Sequence, residues 1–163
     1  MNPHFIFNSL NAVQEFIIDQ DMESANRYLS RFARLIRQTL DMSMQPNITV
    51  QDEVRYLRTY LELEQMRFDQ RFNFAITVDP QINTEEALWP GMVLQPLVEN
   101  AVQHGIRHLR DREGMITVAF RLEQRMIVCT VTDNGVQKRY RQPAGRTRVL
   151  GHQDYERAYQ YDE

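Results

Sequence analysis

The first apolar residues recur at helical spacing. Ile6, Leu10, Val13 and Ile17 follow one another at steps of four, three and four, which places one apolar stripe along an α-helix. Asn2 can cap this helix, and Pro3 takes the favoured first helical position. His4, Asn8, Asn11 and Glu15 fall at the same spacing on another face, so the histidine belongs to a polar stripe turned toward solvent or a partner domain. Asp21 can cap a second helix, in which Met22, Leu29, Phe32, Ile36 and Leu40 repeat the pattern and Arg27, Arg31 and Arg34 decorate another side. An isolated pair of such helices cannot bury both stripes. Pairing with a second copy to form a four-helix bundle is the expected remedy.

The stretch QPNIT breaks this pattern, and Thr49 can cap a third helix carrying Val54, Leu57, Leu61 and Phe68 and ending near Asp69. Phe72, Phe74, Ile76 and Val78 then alternate with Asn73, Ala75, Thr77 and Asp79, the period-2 pattern of a half-buried strand, closed by Pro80. After Trp89 and Pro90 the stretch MVLQPLVENAVQHGI is helical in character, with Pro96 near its start and Gly105 as its stop. MITVAFRL and MIVCTVTD flank the short turn EQR and predict an antiparallel hairpin ending in the turn-forming DNG. Beyond Gly135 the chain is rich in Arg and Gln with little periodicity, and no core strand is expected there. The fold class is α+β: an N-terminal helical hairpin, then an α/β region.

A length of 163 residues suits one to two small domains. The net charge of −3 provides no global attraction for nucleic acid or anionic lipid, so direct nucleic-acid binding is not expected. A single cysteine, Cys129, excludes an internal disulfide framework and a cysteine-based zinc site; in the apolar run MIVCTV it is expected to be a buried core residue. No apolar run approaches the roughly 18 residues of a membrane helix, and there is no basic-plus-apolar leader. The chain is expected to be cytoplasmic. Because Met1 stands so close to His4, the parent protein is expected to be longer and anchored in the cytoplasmic membrane.

His4 can be read as an ordinary surface residue or as a nucleophile. The positive end of a helix disfavours a protonated imidazole and keeps it neutral near pH 7, as a phosphoryl acceptor needs. In ENAVQHG, Asn100 and His104 stand one helical turn apart, with Glu99 about 100° away. An amide oxygen and an imidazole suit a magnesium-phosphate group, although the spacing alone is equally that of a solvated helix face. DNG after a strand is commonly only a turn. His108 and His152 have no partners at metal-ligand spacing and read as surface residues.

Taken together, NPHFIFNSLN, YLELEQMRF, LQPLVENAVQHG and DNG stand in the order and at about the spacing found in LytS-type sensor histidine kinases, and the chain resembles that family over residues 2–135. The resemblance implies a dimerising helical hairpin (1–45), a connecting helix (46–69), the N-terminal part of a Bergerat-type ATP-binding α/β sandwich (70–135) and an atypical tail (136–163). It implies that His4 accepts the γ-phosphoryl group of ATP, that Asn100 holds Mg²⁺ between the phosphates, and that Asp133 accepts a hydrogen bond from the adenine amino group, with Gly135 letting the backbone approach the base. Gln103 and His104 would lie near the phosphates, Gln103 standing where the family usually has lysine. The phosphoryl group would pass to an aspartate on a response regulator, typically one with a LytTR DNA-binding domain, and the kinase would be a homodimer. Bergerat ATPases that activate water carry a glutamate where this chain has Pro96, which favours transfer to His4 over hydrolysis. Phe5 follows His4 where many other histidine kinases have an acid, and Glu99 is the nearest candidate base.

The resemblance stops at Gly135. Val136 and Gln137 replace the continuation DNGxG, and VLGH is the nearest approach to the second glycine box. Residues 136–163 are too few for a lid, a helix and two strands of ordinary length. A truncated or frame-shifted sandwich with an exposed edge is therefore expected. The rival reading is a non-catalytic dimerisation and phosphoacceptor module that partners an intact kinase.

Overall fold

The structure is a computed structural model that describes residues 3–69, 71–107, 109, 112–135 and 146–152; for residues 3, 4 and 146–152 it describes the backbone alone. Asn2 and His108 lie outside the described residues, as does the stretch 136–145.

Helix α1 (Pro3–Ile18) and helix α2 (Met22–Ser43) form the predicted hairpin. Gln20 turns the chain with a left-handed φ of 58°, and the Asp21 carboxylate caps α2 by accepting from the Ser24 amide at 3.0 Å. The face of α1 that packs inward differs from the predicted stripe. Phe5, Ser9 and Ala12 are buried, while Ile6, Leu10 and Ile17 are 37%, 51% and 50% exposed. The reason is steric: Ser9 and Ala12 are small, so α2 can come close between the two aromatic rings that flank them. Phe16 packs on Tyr28 with ring centroids 5.8 Å apart, and Phe5 on Phe32 at 6.1 Å. On α2, Met22, Leu29 and Leu40 are likewise exposed. The apolar stripes therefore remain uncovered within one chain.

A short ribbon follows that the sequence pattern did not announce. Strand β1 (Asn47–Thr49) pairs antiparallel with β3 (Leu88–Pro90), with Ile48 opposite Trp89. Three-residue strands leave too few positions for a period-2 signal. Helix α3 (Val50–Arg67) starts as expected at Thr49, whose hydroxyl accepts from the Asp52 amide at 3.1 Å and donates to the Asp52 carboxylate at 2.8 Å. It is the central helix, touching α2 on one side and the strands on the other. Burial accordingly extends well around it, taking in Val50, Glu53, Tyr56, Leu57, Tyr60, Leu61, Leu63 and Glu64.

The main sheet has the order β2-β4-β5-β6. Strand β2 (Phe72–Val78) runs parallel to β4 (Gly114–Glu123), which pairs antiparallel with β5 (Met126–Asp133). Gln124 and Arg125 make the hairpin turn, both with positive φ (49° and 69°), as the type I′ geometry that matches strand twist requires. Helix α4 (Gln95–Asn100) continues into a π-helical segment (Ala101–Ile106), whose Ala101, Val102 and Ile106 are buried against the sheet. Cys129 is free and fully buried, as expected.

The tail corrects one expectation. Arg146–His152 forms strand β6 and pairs antiparallel with β5, Cys129 opposite Val149. The edge of β5 expected to stand open is thus covered. The signal was weak because glycine and arginines dilute the apolar pair Val149 and Leu150, and the hydrogen-bonding edge of β5 supplies what intrinsic propensity does not. Among the described residues, no helix is long and apolar enough to cross a membrane.

Candidate nucleotide and phosphoacceptor site

The helix formed by α4 and its π-helical continuation carries most of the candidate residues. Pro96 sits in its first turn, where a missing amide hydrogen costs nothing. Val98, Ala101, Val102 and Ile106 turn inward, leaving Asn100 and His104 exposed and Gln103 half-buried. Asn100 and Gly105 are five positions apart, about 7 Å along the axis.

Gly105 joins this helix to the end of β5. A Cβ on Gly105 would collide with the Asp133 carboxylate, and one on Gly135 would collide with the Gly105 backbone. The two glycines thus allow helix and strand to meet at a distance no other residue permits. Asp133 is half-exposed and is oriented by its Oδ1, which accepts from the Gly135 amide at 2.8 Å. Asn134, unremarked in the sequence beyond its place in DNG, fastens the same stretch to β4. Its Oδ1 accepts from the Met115 amide at 2.7 Å, its Nδ2 donates to the Glu113 carbonyl at 3.1 Å, and its own carbonyl accepts from Arg112 at 2.5 Å. DNG is therefore a strand end held on both sides, not a free turn. The structure brings Gly105, the residue after His104, against Asp133 and Gly135, whereas Asn100 stands more than a turn earlier on the helix.

Glu99 points elsewhere. Its carboxylate accepts from Gln95 Nε2 at 2.7 Å, and it lies within electrostatic reach of the buried hydroxyls of Tyr56 and Tyr60. Both tyrosines belong to α3. Burial pushes the Tyr60 hydroxyl well above its ordinary pKa, with Glu64 and Glu99 adding to the rise, so it stays a neutral phenol. One turn further along α3, Glu64 and Arg67 form a two-point ion pair, with Nε donating to Oε1 at 3.2 Å and Nη2 to Oε2. Glu64 is fully buried and Arg67 is 12% exposed, its guanidinium 4.2 Å above the Phe68 ring. Burial raises the Glu64 pKa, and Arg67 opposes that rise. Tyr60, Glu64 and Arg67 all lie in YLELEQMRF, and an ion pair at i,i+3 within so apolar a stretch was the available sign of this wall.

His4 occupies the first turn of α1. Its neighbour Phe5 packs on Tyr60 with ring centroids 5.4 Å apart, so the start of α1 touches α3. His152 lies on β6, away from these residues in sequence and element.

A cavity of about 640 Å³ opens beyond the Gly105 end of the helix, with Arg71, Arg107 and Arg112 on its walls. It adjoins the candidate site without including Asn100 or Asp133. Among the described residues no three of His, Cys, Asp and Glu converge on one point. A magnesium ion here would be held by the Asn100 amide oxygen together with phosphate oxygens and waters, which is how Mg²⁺ commonly binds at nucleotide sites.

The histidine kinase family model matches residues 1–72, the span that holds His4 and YLELEQMRF. The chain is 34% identical over 135 residues to the sensor protein LytS of Staphylococcus epidermidis, covering 83% of this chain and 22% of the relative. It is 31% identical over 134 residues to the sensor histidine kinase BtsS of Escherichia coli K12, covering 82% and 23%. The chain belongs to the LytS-type histidine kinase family. LytS of Enterococcus faecalis is similar at 30% identity over 135 residues, again 83% of this chain and 22% of the relative. The chain thus spans about a fifth of the length of the curated LytS and BtsS relatives it matches. These alignments are longer than the stretch matched by the family model, so the likeness extends into the α/β region.

Proposed function

We propose that the chain is the core of a sensor histidine kinase of a two-component system, with His4 as phosphoacceptor and the α4 helix and β5 end as the nucleotide site. The observation that supports this most is the close packing of Gly105 against Asp133 and Gly135, which sets an oriented, half-exposed carboxylate against the helix that carries Asn100, Gln103 and His104. In this reading Asp133 Oδ2 accepts from the adenine amino group, Gly135 lets the helix close on the strand end instead of leaving room for the base, Asn100 would hold Mg²⁺, and Gln103 and His104 line the phosphates. ATP supplies the activated phosphoryl group. A neutral His4 nitrogen forms the P–N bond as the bond from the γ-phosphorus to its bridging oxygen breaks, the electron pair leaves on ADP, and the ring N–H proton passes to solvent. The group then moves to a response-regulator aspartate, of LytTR type in the family pattern. Glu99 is a poor general base here because its carboxylate is engaged by Gln95.

Residues 1–45 serve in this reading as the phosphoacceptor and dimerisation hairpin, 46–69 as the connecting helix and 70–135 as the nucleotide-binding part, with β6 from the tail adding to its sheet. The uncovered stripe of Ile6, Leu10, Ile17, Leu29 and Leu40 suits a second copy. The same stripe supports a second reading, a non-catalytic module that dimerises with an intact kinase and offers His4 to it. Incubation with Mg-ATP separates the two. Acid-labile label on His4 from the chain alone supports the kinase, and label that appears only with an intact partner supports the module.

A further inference from the structure

The cavity of about 640 Å³ beyond the Gly105 end of the helix has no part in the kinase reading. Its volume suits a small organic ligand. Three segments each bring an arginine to its walls: Arg71 from just before β2, Arg107 from just after the π-helical segment and Arg112 from just before β4. Backbone contacts fix these segments. The Gly114 amide donates to the Arg71 carbonyl at 3.1 Å, and the Arg107 amide to the Val102 carbonyl at 3.1 Å. A Cβ on Gly114 would stand 2.8 Å from the side chains of Ile106 and Phe72, so a glycine is needed for β4 to begin this close to both. Arg71 and Arg107 are exposed and form no ion pair or side-chain hydrogen bond among the described residues. The one acid among the described wall residues, Glu113, is engaged by Asn73, whose Nδ2 donates to it at 2.8 Å. Arg110 and Asp111, between them in sequence, cancel in charge, so positive charge prevails. Phe68, Ile106 and Leu109 supply an apolar wall.

We propose that this cavity binds a small organic phosphate, at a place separate from the candidate nucleotide site at Asn100 and Asp133. Guanidinium groups stay charged at physiological pH and meet phosphate oxygens with paired N–H donors, and three of them around one cavity concentrate positive potential there. The phosphate group takes Arg71 and Arg107, and the body of the ligand lies on Phe68, Ile106 and Leu109. Arg112 is shared with the strand end: its Nη2 donates to the Asn134 carbonyl at 2.5 Å, next to Asp133. Asn100 stands five positions before Gly105, about 7 Å back along the axis, so a phosphate held there lies on the far side of Gly105 from this cavity. The site uses neither His4 nor Mg²⁺ and does not depend on the kinase reading.

Calorimetry of the full chain with phenyl phosphate in EDTA reads this site without the magnesium that the nucleotide site would use. Saturable binding is expected, with Arg71→Gln and Arg107→Gln each weakening it by roughly 10-fold or more, while Asn100→Asp binds like the parent. Both arginines are exposed, so these variants should melt with the parent, which circular dichroism checks. Arg112 is left in place because it also holds Asn134. Inorganic phosphate, which leaves the apolar wall uncovered, should bind roughly 10-fold more weakly than phenyl phosphate, and equal affinity would overturn the assignment of an organic ligand. A folded parent with no saturable binding, or arginine variants that bind as tightly as the parent, would overturn the site itself. Binding that Asn100→Asp loses and the arginine variants keep would overturn it too, by placing the phosphate at the nucleotide site.

Discussion

Gly105 lies against the carboxylate of Asp133 so closely that there is no room for a Cβ between them. This contact fixes where the helix bearing Asn100 and His104 ends relative to the strand bearing Asp133. Gly105→Ala should therefore cost about 1–3 kcal/mol of stability from overpacking and weaken Mg-ATP binding with it. Urea denaturation and calorimetry check both. A variant as stable as the parent, with the same nucleotide affinity, would show that the contact is dispensable.

The exposed stripes predict self-association. Leu10→Asp and Leu29→Asp remove apolar surface from positions that are about half exposed within one chain, so the folded chain should survive while the dimer does not. Sedimentation should report monomers with unchanged helical circular dichroism. Dimers that persist in both variants would rule out pairing through these stripes.

Glu53 gives a dependence on pH. Both carboxylate oxygens are buried and without a hydrogen-bond partner among the described residues, and burial pushes the pKa from 4.5 up to about 8. The folded state therefore holds a proton that the unfolded state releases. The stability this group contributes is fully present below about 4.5 and is lost as pH rises toward 8, at up to about 1.4 kcal/mol per pH unit. Glu53→Gln, neutral throughout, should flatten that slope. Denaturation midpoints measured from pH 5 to pH 8 decide it, and an equal slope in both proteins would mean that Glu53 ionises without penalty.

Arg67→Ala should leave Glu64 buried without its partner and cost about 3–5 kcal/mol. The double variant Glu64→Gln, Arg67→Met should recover much of that loss, because no charge then remains to be solvated. A single variant as stable as the parent would show that water reaches Glu64.

Where a single local force decides, the chain is readable. Asp21 and Thr49 cap the helices they were expected to cap, the alternation from Phe72 to Val78 gives β2, and the hairpin turns at Gln124 and Arg125. Of the motif stretches, the end of ENAVQHG meets DNG through Gly105, Asp133 and Gly135. What escaped the sequence depends on packing across elements. The inward face of α1 is set by the gap that small Ser9 and Ala12 leave between Phe5 and Phe16, which a stripe of larger apolar residues conceals. Strand β6 exists because β5 offers it an edge. Gly105 was legible as a helix stop, but its role is to admit Asp133, and that requires knowing which strand lies opposite.

Titration of the chain with Mg-ATP by calorimetry, beside Asn100→Asp and Asp133→Asn, tests the nucleotide site most directly. Saturable binding in the parent that both variants lose is the predicted result. A folded parent that takes up no heat, or variants that bind as well as it does, would contradict the assignment of these residues to ATP.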